Sequence, residues 1–195
     1  MRIRLSTLAL LTAVLIVGLV VHAQQKDPNA PADRPDWTIS PLRVITAPAV
    51  TYFHTTFTTT FAEMNKIHPE LEAMFKSIKE QNIDWFADDR AGQVMFIYKG
   101  VGPDRSQPFE LSIGMTVPAG TKAAGKYKVS ELPEFRCAAG LYNGGLQTIP
   151  AAYQKHYTDV FAAGHTPTDE SREVYLYWDG EQGTNSVIWI QAGIQ

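Results

Sequence analysis

The chain has 195 residues, with 17 Lys and Arg against 20 Asp and Glu, a net charge of −3 and one cysteine. Lacking a basic excess or a Lys/Arg stripe, it has little with which to neutralise a phosphate backbone, which argues against a nucleic-acid partner. The single Cys137 excludes an intramolecular disulfide and is expected as a buried thiol, so the fold must rest on its apolar core.

At the N-terminus, Arg2 and Arg4 precede an apolar run from Leu8 to Val21, followed by Val21-His22-Ala23 and polar Gln24-Gln25-Lys26. A charged start, an apolar centre shorter than the roughly 20 residues of a spanning helix, and a small-x-small site together predict a signal peptide over residues 1–23. Cleavage after Ala23 gives a periplasmic or secreted protein. The alternative is an uncleaved anchor. Cleavage removes two arginines and no acid, taking the net charge from −3 to −5. Residues 24–41 carry Pro28, Pro31 and Pro35 among polar neighbours and read as a disordered spacer, so the domain is placed at 42–195.

Within it, Val44 to Thr60 is dense in β-branched and aromatic residues and broken by Pro48, predicting one strand leading into another. Phe61 to Gln81 spaces Phe61, Met64, Ile67, Leu71, Met74, Phe75 and Ile78 by three and four, the period of an amphipathic helix with Pro69 as a kink or a new start. Gln93–Gly100 and Phe109–Val117 are strands joined by a turn around Gly102-Pro103-Asp104. The order then recurs: Lys128 to Leu146 is strand-like with a break at Pro133, Ile149 to Ala163 helical, and Glu173–Gly180 and Ser186–Ile194 are strands. QVMFIYKG aligns with EVYLYWDG, and PAVTYFHTTF with PEFRCAAGLY. The expectation is an α+β fold made by a tandem β-α-β-β duplication, repeats at about 42–118 and 127–195, forming a curved antiparallel sheet with two helices on one face and a concave ligand cleft on the other.

Alternation along the strand from Glu173 puts Glu173, Tyr175 and Tyr177 on one face and Val174, Leu176 and Trp178 on the other. With the apolar face under the second helix (Ile149, Ala152, Tyr153, Tyr157, Val160), the Glu/Tyr face would look into the cleft beside Gln93 and Met95. A lone carboxylate among aromatic walls suits a cationic or hydrogen-bond-donating aromatic ligand. A solvated Glu173 on an ordinary sheet surface remains the competing reading at this point.

The duplicated architecture, the strand entry Arg172-Glu173-Val174-Tyr175 and the closing Val187-Ile188-Trp189-Ile190 resemble the GyrI-like small-molecule-binding domain family over about residues 42–195. The resemblance implies that Glu173 and Tyr175, matching the family's Glu-x-Tyr strand, face an aromatic ligand cleft; the reading of the repeats adds Tyr177, Gln93 and Met95 to its lining, with Tyr142 and Trp189 as neighbouring aromatics. That family includes effector-binding domains of multidrug-sensing regulators; with an export signal expected and no DNA-binding helix-turn-helix read in the sequence, what is expected to carry over is ligand capture without a nucleic-acid partner. Some members hydrolyse reactive small molecules, which would make Glu173 a general acid or base. A protein-interaction module of the cell envelope is a third possibility.

The remaining polar residues fit no other site. His54, His68, His156 and His165 do not fall at metal-ligand spacings, and Asp88-Asp89 beside Arg90 reads as a charged turn, so neither a metal nor another cofactor is expected. His156 is expected as a core or boundary residue rather than a haem ligand, and Gly144-Gly145 as a turn or bulge before the second helix.

Overall fold

A computed structural model describes residues 36–195 apart from 86, 88, 89, 103, 124 and 181. The expected signal peptide, most of the spacer and Asp88-Asp89 lie outside the described residues. The elements are β1 (Thr38–Ile39), β2 (Arg43–Ala47), β3 (Val50–Thr59), α1 (His68–Glu80), β4 (Val94–Lys99), β5 (Phe109–Val117), β6 (Lys128–Leu132), β7 (Phe135–Gly144), α2 (Ile149–Ala162), β8 (Pro167–Tyr177) and β9 (Ser186–Ile194). They build one antiparallel sheet in the order β1-β7-β9-β8-β4-β5-β3-β6, with β2 also on β7. This is the α+β architecture of two helices and a curved antiparallel sheet.

Pro69 starts a helix and does not kink one. A 3₁₀ segment, Phe61–Lys66, ends before His68, and Pro69 occupies the first turn of α1, where a missing N–H leaves no bond unmade. The spacer also ends earlier than residue 41. Thr38 and Ile39 pair with Asn143 and Tyr142 of β7, because Trp37 and Ile39 have apolar partners in the core around Tyr142 and Ile188.

The duplication is visible in the ladders. Across the first half, Phe57, Leu111 and Tyr98 stand in one row and Thr55, Ile113 and Phe96 in the next; the second half repeats them as Tyr142, Ile188, Tyr175 and Gly140, Ile190, Glu173. Both rows face the helices: α1 buries Leu71, Met74 and Ile78 against Phe53, Leu111, Ile113 and Met115, and α2 lies over Ala138, Ile188, Ile190 and Ala192 with Ala152, His156 and Val160 buried. Near the proline corners Pro48 and Pro133, β2 pairs with β7 and β3 with β6 in one continuous register, Ala47 opposite Phe135 and Val50 opposite Leu132. The two edges of the sheet are thereby drawn together, and the face away from the helices fills itself with Tyr52, Met95, Ile97 and Val174.

Two close approaches hold this arrangement. The Tyr52 ring crosses Gly114 so that its hydroxyl donates to the Met95 carbonyl at 2.7 Å, and a Cβ on Gly114 would meet the Phe53 carbonyl oxygen and lie 2.6 Å from that ring. On the helix face, Gly140 leaves space for His156, whose Nε2 bonds the Ala138 carbonyl oxygen at 3.1 Å. Burial holds the His156 and His54 imidazoles below their ordinary 6.5.

Gly114→Ala overpacks a backbone contact, and a loss of about 2–3 kcal/mol is expected in urea unfolding; a change under about 0.5 would mean that the Tyr52 ring moves aside freely. Because the two imidazoles are neutral in the fold, the unfolded chain takes up protons first. Their contribution is therefore complete above pH 6.5 and fades as pH falls through 6.5 towards the lower folded values. The stability–pH slope in that window should shrink in His156→Gln, and an unchanged slope would count against a neutral buried His156.

Candidate ligand site

In the sheet centre, β4 and β8 lie side by side with Phe96 opposite Glu173, Val94 opposite Tyr175 and Met95 opposite Val174. Glu173 is 4% exposed. Tyr153 of α2 donates to its Oε1 at 2.9 Å, Tyr175 donates to Oε2 at 2.8 Å, and the Tyr98 hydroxyl of β4 is a third hydrogen-bond partner. Among the described residues no cation pairs with it. The adjacent Arg172 points to the other face, where it binds Glu170 at 2.7 Å and stacks 3.9 Å from the Phe135 centroid.

Burial raises the Glu173 carboxyl above 4.5, and the three phenols only partly offset this. The phenols are themselves pushed well above 10, first by burial and then by the neighbouring carboxylate, so all three stay protonated. The result is an acceptor charge held by neutral donors in a dry setting, which is costly in isolation and strongly attractive to a cation that displaces little water.

Beside α1 opens a pocket of about 270 Å³ lined by His68, Leu71, Glu72, Phe75, Val94, Phe96, Tyr175 and Trp178, and Glu173 adjoins it through Phe96, its partner across the ladder, and Tyr175, its hydrogen-bond donor. The Phe96 and Tyr175 centroids are 5.1 Å apart and Tyr175 and Trp178 are 5.7 Å apart. The rings form a continuous wall, and Tyr175 joins it to the carboxylate.

The faces expected from alternation are reversed. Glu173 and Tyr175 look towards the helices, while Val174 packs with Met95 and Trp189 on the opposite side. The alignment equating Gln93 with Glu173 caused this: the rows above equate Phe96 with Glu173 and Tyr98 with Tyr175, and an odd slip in register moves every side chain to the other face. Met95 and Trp189 therefore lie away from the carboxylate pocket. The Gln93 side chain is exposed just before β4, and its backbone N–H bonds Thr116 Oγ1 at 2.9 Å. Tyr142 is on the helix side but wholly buried, bonded to Gly145 and Thr148.

Tyr177 is 54% exposed, with its hydroxyl donating to Asp179 at 3.4 Å. A bulge is responsible: Tyr175 pairs with Ile188 but Tyr177 with Val187, so the alternation slips and Trp178 takes the place on Tyr175's side. The sequence pattern gave no signal for that bulge. It did contain Phe96 and Tyr98 as alternate residues of one strand, and Tyr153 on the second helix stripe, which a correct register would have brought to Glu173.

Comparison with known proteins bears on the family and the fold. The model of the GyrI-like small molecule binding domain matches residues 40–190, whereas no curated protein matches the sequence. Among solved structures, the C-terminal domain of EcmrR superposes with a TM-score of 0.62 at 15% identity, covering 82% of this chain and 98% of that one. EcmrR in its DNA complex gives 0.63 at 15% identity, covering 82% of this chain but 57% of that one. SAV2435 bound to tetraphenylphosphonium gives 0.54 at 12% identity, covering 79% and 93%. With the family model spanning most of the chain and the duplicated fold in place, this chain belongs to the GyrI-like small-molecule-binding domain family.

Proposed function

We propose that the protein is an exported capture domain that holds an aromatic or amphipathic cation against Glu173. One observation carries the reading: a buried carboxylate without a cationic partner among the described residues is hydrogen-bonded to Tyr175, a wall of an aromatic pocket open to solvent. A ligand ring would lie against Phe96, Tyr175 and Trp178 while its charge approaches Glu173, combining cation–π contact with a charge–charge term in a poorly hydrated site. The pocket is near the lower end of the roughly 300–1,000 Å³ usual for small-molecule sites, which favours a compact ligand with part of its surface at the mouth. SAV2435, related in fold, binds tetraphenylphosphonium, a lipophilic cation. Export is the reading of residues 1–23, and mass spectrometry of the mature protein should find Gln24 at its start.

A second reading rests on the protonation state of the same group. A carboxyl with a raised pKa beside three phenol donors is equipped for general acid–base hydrolysis of a reactive small molecule. Turnover abolished in Glu173→Gln with binding retained would favour that hydrolase over capture.

For capture, Glu173→Gln is expected to weaken a lipophilic cation such as tetraphenylphosphonium by about 10- to 100-fold in calorimetric titration, the range for losing a hydrogen-bonded charge. The same change removes a buried ionised group, so the ligand-free variant should be more stable than the wild type by about 1 kcal/mol at pH 7. The sign follows from the raised pKa. The penalty for the charge is absent below the unfolded carboxyl value, 4.5, and is fully present once pH rises past the folded one. Cation affinity runs the other way and drops as acidification protonates Glu173. Equal affinity of wild type and variant, or affinity flat from pH 7 to 4, would remove Glu173 from the site.

A further inference from the structure

The residues lining the pocket include one carboxylate, and it is not Glu173. Glu72 of α1 lies at the mouth, its Oε1 3.4 Å from His68 Nε2, with the two side chains 73% and 44% exposed. The repeat explains why it points there. Both helices begin with a proline in the first turn, Pro69 in α1 and Pro150 in α2, and aligning these prolines places Glu72 at the position of Tyr153. Tyr153 is the helix residue that reaches the central carboxylate from the α2 side. Glu72 therefore occupies the corresponding place on the α1 side of the same cleft, and it brings a charge where its counterpart brings a phenol.

We propose that Glu72 is a specificity-determining residue that makes the pocket prefer dicationic ligands, one charge drawn towards Glu173 behind the Phe96 and Tyr175 wall and the second going to Glu72 at the mouth. This rests on the capture reading of Glu173. The rest of the lining apart from His68 is apolar or aromatic, Leu71, Phe75, Val94, Phe96, Tyr175 and Trp178, so the matching ligand has a compact aromatic body with a basic centre on a short arm. His68 is the only other ionisable side chain besides Tyr175 in the lining, and its ring nitrogen beside Oε1 holds the Glu72 carboxylate at the rim. Since the outer charge is largely in water, its contribution is modest and screened by salt, in contrast to that of the buried one.

The test compares two acridinium probes that differ in one atom and one charge, an N-propyl arm ending in trimethylammonium and the same arm ending in tert-butyl, by fluorescence titration at low salt. The wild type should bind the dication about threefold more tightly than its isostere, the preference shrinking at high salt. In Glu72→Gln the ratio should fall to about one with the singly charged probe bound as in wild type. In Glu173→Gln both probes should weaken together with the ratio kept. A ratio of one in the wild type, or a preference unchanged in Glu72→Gln, overturns the role of Glu72 while leaving capture at Glu173 standing. If neither probe binds the wild type, both proposals fall.

Discussion

The pairing of β4 with β8, with Phe96 opposite Glu173, sets almost everything else in the site. These strands adjoin across the middle of the sheet, one from each repeat, so their register decides which side chains face the helices at the point where the two halves meet. Tyr98 and Tyr175 occupy equivalent rows and converge from opposite sides on one carboxylate, and Tyr153 adds a third phenol from above. Slipping the ladder by one residue would put Val174 and Met95 under the helices and Glu173 among Tyr52 and Ile97, where Arg172 now stands. The hydrophobic pattern on the two faces forbids that slip.

A charge in this position works against the fold. Removing a carboxylate from water costs several kcal/mol even after relaxation, and the phenols return only part of it. Arg172 is the next residue, but strand alternation sends it to the other face, where it is committed to Glu170 and Phe135. The molecule thus separates two adjacent opposite charges across the thickness of a sheet. That leaves Glu173 with phenol donors alone and no cation among the described residues, a buried charge kept at the expense of stability.

Much of the architecture was legible in the sequence because it depends on period and punctuation. Pro48 and Pro133 mark the two corners, the threes and fours of Leu71, Met74 and Ile78 mark α1, and β5 and β9 begin and end where their apolar runs do. The chemistry at Glu173 was legible as a residue type: a lone Glu-x-Tyr strand pointed to a carboxylate with aromatic company, and Tyr175 is indeed its donor. What alternation could not supply was the face, since the apparent match of QVMFIYKG to EVYLYWDG is out of register by an odd number and exchanges the two sides. Nor could it supply the bulge at the end of β8, a property of the β8–β9 pairing that replaces Tyr177 by Trp178. Tyr98 and Tyr153 needed contacts between distant segments, which a single strand's pattern does not contain.

The duplication also had to be broken at its own axis. Paired residues across an antiparallel ladder have Cα atoms roughly 5 Å apart, so a faithful repeat with glutamate in place of Phe96 would put two buried carboxylates against each other. Two such groups cannot both ionise, and one would hold the other's proton, leaving a hydrogen-bonded neutral pair with little attraction for a cation. Phe96 instead fills its half of the axis with a ring 5.1 Å from Tyr175, and so supplies pocket wall where symmetry would have supplied a competing charge. The tyrosines could remain duplicated because neutral donors tolerate one another. The repeats differ in charge at two of their equivalent positions, Glu173 in place of Phe96 and Glu72 in place of Tyr153, so each carboxylate stands without a symmetric copy beside it.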